Sequence, residues 1–115
     1  MTKHERKPKL IDGAYLYGFG LCAPGDEKCD RTPPDRREVR ICKRWLAKYA
    51  APTKMMNRFS NSYGLKHVVE RTSGADVHYV TNGALILAAV ELGYRCKRVR
   101  STPNATFAMK LLTES

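Results

Sequence analysis

The chain has 115 residues, enough for one small domain and not two, and its 43% hydrophobic content can supply a core. It contains no run of about 18 apolar residues, so no helix long enough to cross a bilayer is expected, and the N-terminal MTKHERKPKLIDG has no apolar stretch of the kind a secretory signal needs. The net charge is +10, and all of it lies after residue 35, because the first 35 residues hold six cations and six anions.

In chain order, residues 1–34 read as a flexible N-terminal arm, and 35–115 as a basic helical domain with a C-terminal β-hairpin. Within the arm, Tyr15, Tyr17 and Phe19 alternate with Leu16 and Gly18. That period-2 pattern suggests a short strand or an extended segment. APGDEKCDRTPP is turn chemistry throughout. Asp35 follows two prolines and Glu38 sits three residues later, a capping-box pattern that starts a helix over 36–50 and ends it before Pro52. Val39, Cys42, Trp45, Leu46 and Tyr49 form its apolar stripe, and Arg36, Arg37, Arg40, Lys43, Arg44 and Lys48 its other side.

A basic connector precedes a second helix, capped by Ser60 or Ser62 and closed by Gly74. Leu65, Val68, Val69 and Thr72 face inward, and Tyr63, Lys66, His67 and Arg71 point elsewhere. Val77–Val80 reads as extended. Thr81 caps a third helix over 82–92 that ends at Gly93. Residues 94–100 and 105–111 read as the two strands of a hairpin around a tight turn at Pro103, with Tyr94 and Cys96 inward and Arg95 and Lys97 exposed. The expected fold is α+β, with about three helices and a small antiparallel sheet or β-hairpin, loosely winged-helix-like.

The third helix carries one charge, Glu91, and is apolar on nearly all sides. A helix of that kind is buried. A DNA-recognition helix does the opposite and presents polar and cationic side chains to base edges. The positive charge is therefore reserved for what surrounds the core: Arg36, Arg40, Lys43, Arg44, Lys66, Arg71, Arg95 and Lys97. Such a field attracts polyanions, either nucleic acid or an acidic protein face. Tyr63, Lys66 and His67 lie on one helical turn, where they either supply base and phosphate contacts or, with Tyr63 and His67 packed on each other, support a loop. Asn82-Gly83 reads as local turn chemistry.

Catalytic chemistry is not expected. The chain has no Gly-rich phosphate loop, no HExxH and no GxSxG. Its few carboxylates show no pairing by spacing, and the three histidines have no fixed relation to a cysteine or carboxylate. Cys22, Cys29, Cys42 and Cys96 are expected as thiols in a cytoplasmic chain. The six-residue gap between Cys22 and Cys29 is wider than a zinc knuckle uses. A site completed by Cys42, Cys96 or a histidine stands beside the plainer reading, in which Cys42 and Cys96 are small buried hydrophobes and the other two lie in a loop. No cofactor and no resident metal are expected.

Three blocks carry a resemblance. Ser62, Tyr63, Gly64, Leu65, Lys66 and His67 are followed by Tyr79, Val80, Thr81, Asn82 and Gly83, then by Pro103, Asn104 and Ala105. This SYGLKH…YV(S/T)NG…PNA pattern resembles a family of small uncharacterised proteins from bacteriophages, prophages and other mobile elements, over roughly residues 55–110. The resemblance implies a mobile-element origin, and a role as regulator, accessory factor or inhibitor of host defence. The expected function is backbone binding to nucleic acid, DNA or RNA, in the host cell cytoplasm. The alternative is an anti-CRISPR-type inhibitor docking on an acidic host protein or nucleoprotein. No membrane partner is expected. The first helix's apolar stripe and the Tyr15–Phe19 segment leave a homodimer open.

Overall fold

The computed structural model describes residues 8–57, 61–73 and 79–112. Asp35 caps helix α1 (Arg36–Tyr49), its carboxylate accepting from the amides of Arg37 and Glu38. The second half of the expected capping box is used differently. Glu38 reaches across to accept the Thr81 amide at 2.9 Å, so it ties α1 to the start of another helix. Val39, Cys42, Trp45 and Leu46 are buried, and Trp45 is an anchor of the core.

Helix α2 (Ser62–Thr72) is capped by Asn61, whose side chain accepts from Gly64. Ser62 takes the first helical position instead, and its buried hydroxyl accepts the amide of Ala105. Thr72 does not face inward as its spacing suggests. It is exposed, donates to the Val68 carbonyl and accepts from the Trp45 indole. Gly74 and Val77–His78 lie outside the described residues, while Tyr79 and Val80 belong to no strand.

Helix α3 (Asn82–Glu91) starts at the Thr81 cap as expected and is buried from Asn82 through Ala89. Alanines 84, 88 and 89 have no exposed surface, so α1, α2 and the strands pack directly against its backbone. The helix that a winged helix would present to DNA is here the centre of the core.

The arm is not an arm from Leu10 onward. β1 (Leu10–Ile11), β2 (Ala14–Tyr17) and β3 (Gly20–Cys22) form an antiparallel sheet in that order. Asp12 and Gly13, both at positive φ, make the two-residue turn between the first two strands. Ala14, Leu16 and Leu21 are buried in the core. The expected return strand is also divided. β5 (Cys96–Arg98) pairs with β6 (Ala105–Phe107), but β7 (Met109–Leu111) leaves that hairpin to pair with β4 (Ala50–Pro52) at the end of α1. Ala108 is the pivot, donating to Arg95 and accepting from Thr53. The fold is α+β with three helices and small antiparallel sheets. No helix among the described residues is long and apolar enough to cross a membrane.

Cys22 and Cys29 form a disulfide, not the thiols expected, while Cys42 and Cys96 are free. Burial pushes both free thiols up to about 12, with the carboxylates of Glu38 and Glu70 adding to the effect at Cys42.

Candidate nucleic-acid interface

Packing on two flanks decides which α1 cations are free. One flank meets the end of α3. There Arg36 donates two hydrogen bonds to the Glu91 carboxylate, at 3.0 and 3.1 Å, and Lys43 reaches it at 2.7 Å. The other flank, through Trp45, meets α2 at Thr72. Between the flanks runs an exposed ridge of Arg37, Arg40, Arg44 and Lys48, at three- and four-residue spacing. None of the four enters an ion pair among the described residues, although Lys48 lies 5.2 Å from the Tyr49 ring centre. A groove of about 180 Å³ beside the ridge is lined by Arg44, Lys48, Trp45 and Thr72 among others.

Arg36 and Lys43 were expected as contacts and are instead partners of Glu91. Arg37 and Lys48 belong to the ridge and were not singled out as contacts. Their signal is the i, i+3, i+7, i+11 spacing, which a reading of the whole cationic side does not separate from the flank positions. The Arg36 fork holds the Glu91 carboxyl down to about 2 against its partial burial, and Lys43 adds to the effect. The unfolded group titrates near 4.5, so the resulting stability is present above that pH and is lost as pH falls toward 2. Arg36 is half exposed, so screening leaves about 1 kcal/mol. Urea midpoints at pH 7 and pH 3 should differ less in Glu91→Gln than in the parent chain, and equal pH dependence in both would discount the triad.

Lys66 is 6% exposed and is not available to a phosphate. Its ammonium lies 3.0 Å from Glu70, 4.5 Å from the centre of the Tyr79 ring and 5.8 Å from that of Tyr63. Glu70 also accepts the Val80 amide and contacts His67 at 3.2 Å. Burial pushes the Glu70 carboxyl up, but the Val80 amide, Lys66 and His67 together outweigh it and hold it below the usual range. Tyr63 and His67 pack edge-to-face at 4.6 Å, the supporting arrangement that their spacing allows. Tyr63 and Tyr79 nevertheless stay 53% and 58% exposed, and Arg71 is exposed in the last turn.

In the hairpin, Arg95 and Lys97 point outward and Tyr94 and Cys96 pack toward the core, as expected. Arg95 is anchored, donating to the Lys54 carbonyl at 2.9 Å. Of the eight cations singled out from the sequence, Arg40, Arg44, Arg71 and Lys97 remain exposed without an ion-pair or hydrogen-bond partner among the described residues.

The second and third sequence blocks meet at one junction, and the first joins the third where Ser62 accepts the Ala105 amide. Asn82 donates to the Phe19 and Pro103 carbonyls and to Asn104 Oδ1, at 3.0–3.2 Å. Gly83 donates to Gly18, and Leu21 to Pro103. Asn82-Gly83 is therefore a long-range lock between β2–β3, α3 and the 103–104 turn, not turn chemistry. The Asn82 Oδ1 atom is buried without a hydrogen-bond partner among the described residues. No family model, curated protein or solved structure matches this chain.

Proposed function

We propose that the protein binds the phosphate backbone of nucleic acid through the outer ridge of α1. The observation that carries this reading is the row of Arg37, Arg40, Arg44 and Lys48, exposed and without ion-pair partners among the described residues. From first to last it spans about 16 Å of helix axis, the length of about five phosphates of one DNA strand. Arg71 and Lys97 extend the positive field beyond it. The role is regulatory or accessory in a mobile element, in keeping with the resemblance of the three blocks, and is played in the cytoplasm of the host. Binding without catalysis is supported by the use of Glu38, Glu70 and Glu91, each held by a structural partner.

Fluorescence anisotropy of labelled duplex DNA, single-stranded DNA and RNA over a salt series tests the proposal. Each neutralised phosphate releases a counterion, so replacing the four ridge cations by glutamine should lower the duplex log–log salt slope by about 3 to 4. An unchanged slope removes α1 from the interface. Absence of binding to all three ligands would turn attention to an acidic host protein or nucleoprotein, the docking partner of an anti-CRISPR-type inhibitor.

A further inference from the structure

The disulfide loop contains one more ligand than the disulfide uses. Cys22 Sγ, Cys29 Sγ and the Asp26 carboxylate all lie within 4.8 Å of one another. Strand β3 fixes the buried Cys22 in register with Tyr15. The turn that follows is closed by the Asp26 amide on the Ala23 carbonyl and folds Asp26 back over the sulfur. The Lys28 amide then holds Asp26 Oδ1 at 3.0 Å, which orients the carboxylate and leaves Oδ2 unbonded among the described residues.

Two thiolates and an oriented carboxylate are donors that zinc accepts together, and a hydrogen bond to the second carboxylate oxygen is the outer contact that steadies such a ligand. A cavity of about 420 Å³, lined by Tyr15, Tyr17, Cys22, Asp26 and Arg31, opens onto the cluster. It leaves room for a fourth ligand such as water. Three anionic donors around a dication carry one net negative charge, and Arg31 on the cavity wall opposes it. Neither remaining cysteine competes. Cys42 is enclosed by the core and Cys96 packs against it, and burial disfavours both thiolates.

We propose that the Cys22–Cys29 loop is a redox-gated site for a thiophilic divalent cation of the zinc class, closed by the disulfide when oxidised and open when reduced. Residues 24–28 are exposed and Cys29 is half-buried, so a reductant can reach the bond. With a water-soluble phosphine, two electrons pass to the S–S bond. The phosphine leaves as its oxide with oxygen from water, and the two protons of that water go to the sulfurs. The metal then displaces both thiol protons into solvent. This site is independent of the ridge on α1.

The test is cobalt(II) titration of the full chain after phosphine reduction and anaerobic removal of the reductant. One cobalt per chain, with thiolate-to-cobalt charge-transfer absorption that zinc abolishes, is the expected result. The unreduced chain should show no such band. Cys22→Ser with Cys29→Ser should remove it, and Asp26→Asn should weaken binding by about tenfold or more. Asp26 is exposed, so that variant keeps the test valid if the serine pair fails to fold. No band in the reduced parent, a band that persists in the serine variant, or affinity unchanged in Asp26→Asn would each overturn the proposal.

Discussion

Gly83→Ala should be the most damaging single-methyl substitution in the molecule, costing about 3 kcal/mol or more. A Cβ at this position would collide with the backbone oxygen of Tyr17 and crowd that of Gly18. Neither can withdraw, because the Gly83 amide is bonded to the same Gly18 oxygen at 2.8 Å and both residues are held in or beside the β2–β3 pair. Gly64→Ala is the matched control. Its Cβ would meet nothing closer than 3.9 Å on an exposed helical surface, and the change should be neutral or stabilising by about 0.5 kcal/mol. Urea unfolding of the two variants decides the point. Similar midpoints in both would mean that β2 and β3 do not close over the start of α3.

Lys66→Met should cost about 3 kcal/mol, because it leaves the Glu70 carboxylate mostly buried beside an apolar chain. The pair is well enclosed, with side chains 7% and 15% exposed. The substitution keeps the aliphatic stem and removes the ammonium between the Tyr63 and Tyr79 rings. Adding Glu70→Gln removes the stranded charge and should recover about 1 kcal/mol, a coupling that a double-mutant cycle reads directly. In nucleic-acid binding, the same Lys66→Met chain should keep its salt slope if it remains folded. A slope that falls with no loss of stability would reverse the assignment and return Lys66 to the interface.

Local signals carried the helices. Asp35 after Pro33-Pro34, and Thr81 before an uncharged run, are short-range cap chemistry, and both caps form where they stand. The buried character of α3 was equally legible, because an all-round apolar surface has only one stable environment. The sheets were less so. Asp12-Gly13 is a strong two-residue hairpin signal, but the glycines that follow mask the strands on either side of it. The departure of β7 from the hairpin depends on which edge the end of α1 leaves unpaired, and no local pattern in 105–111 records that.

The candidate site divides in the same way. That α1 is cationic is plain from its composition. That Arg36 and Lys43 are consumed by a carboxylate about fifty residues away is a tertiary fact. Lys66 shows the limit most clearly, because spacing places it beside His67 on a polar face while the Tyr79 ring and Glu70 enclose it. The residues of the three sequence blocks are accounted for largely by contacts of this kind. Ser62 holds Ala105, Asn82 holds Pro103 and Asn104, and Glu70 holds Val80.

The pairing of β4 with β7 also has a kinetic consequence. Residues 50 and 111 are neighbours in that ladder, and almost the whole of α2, α3 and the hairpin lies between them. Such a loop must close before its hydrogen bonds give any return, so the search for this contact is slow compared with helix formation. Three capped helices can flicker into existence early, while this ladder waits for its distant ends to meet. The slow step of such a search lies in pairing two three-residue strands, and not in forming the helices that make up most of the regular structure.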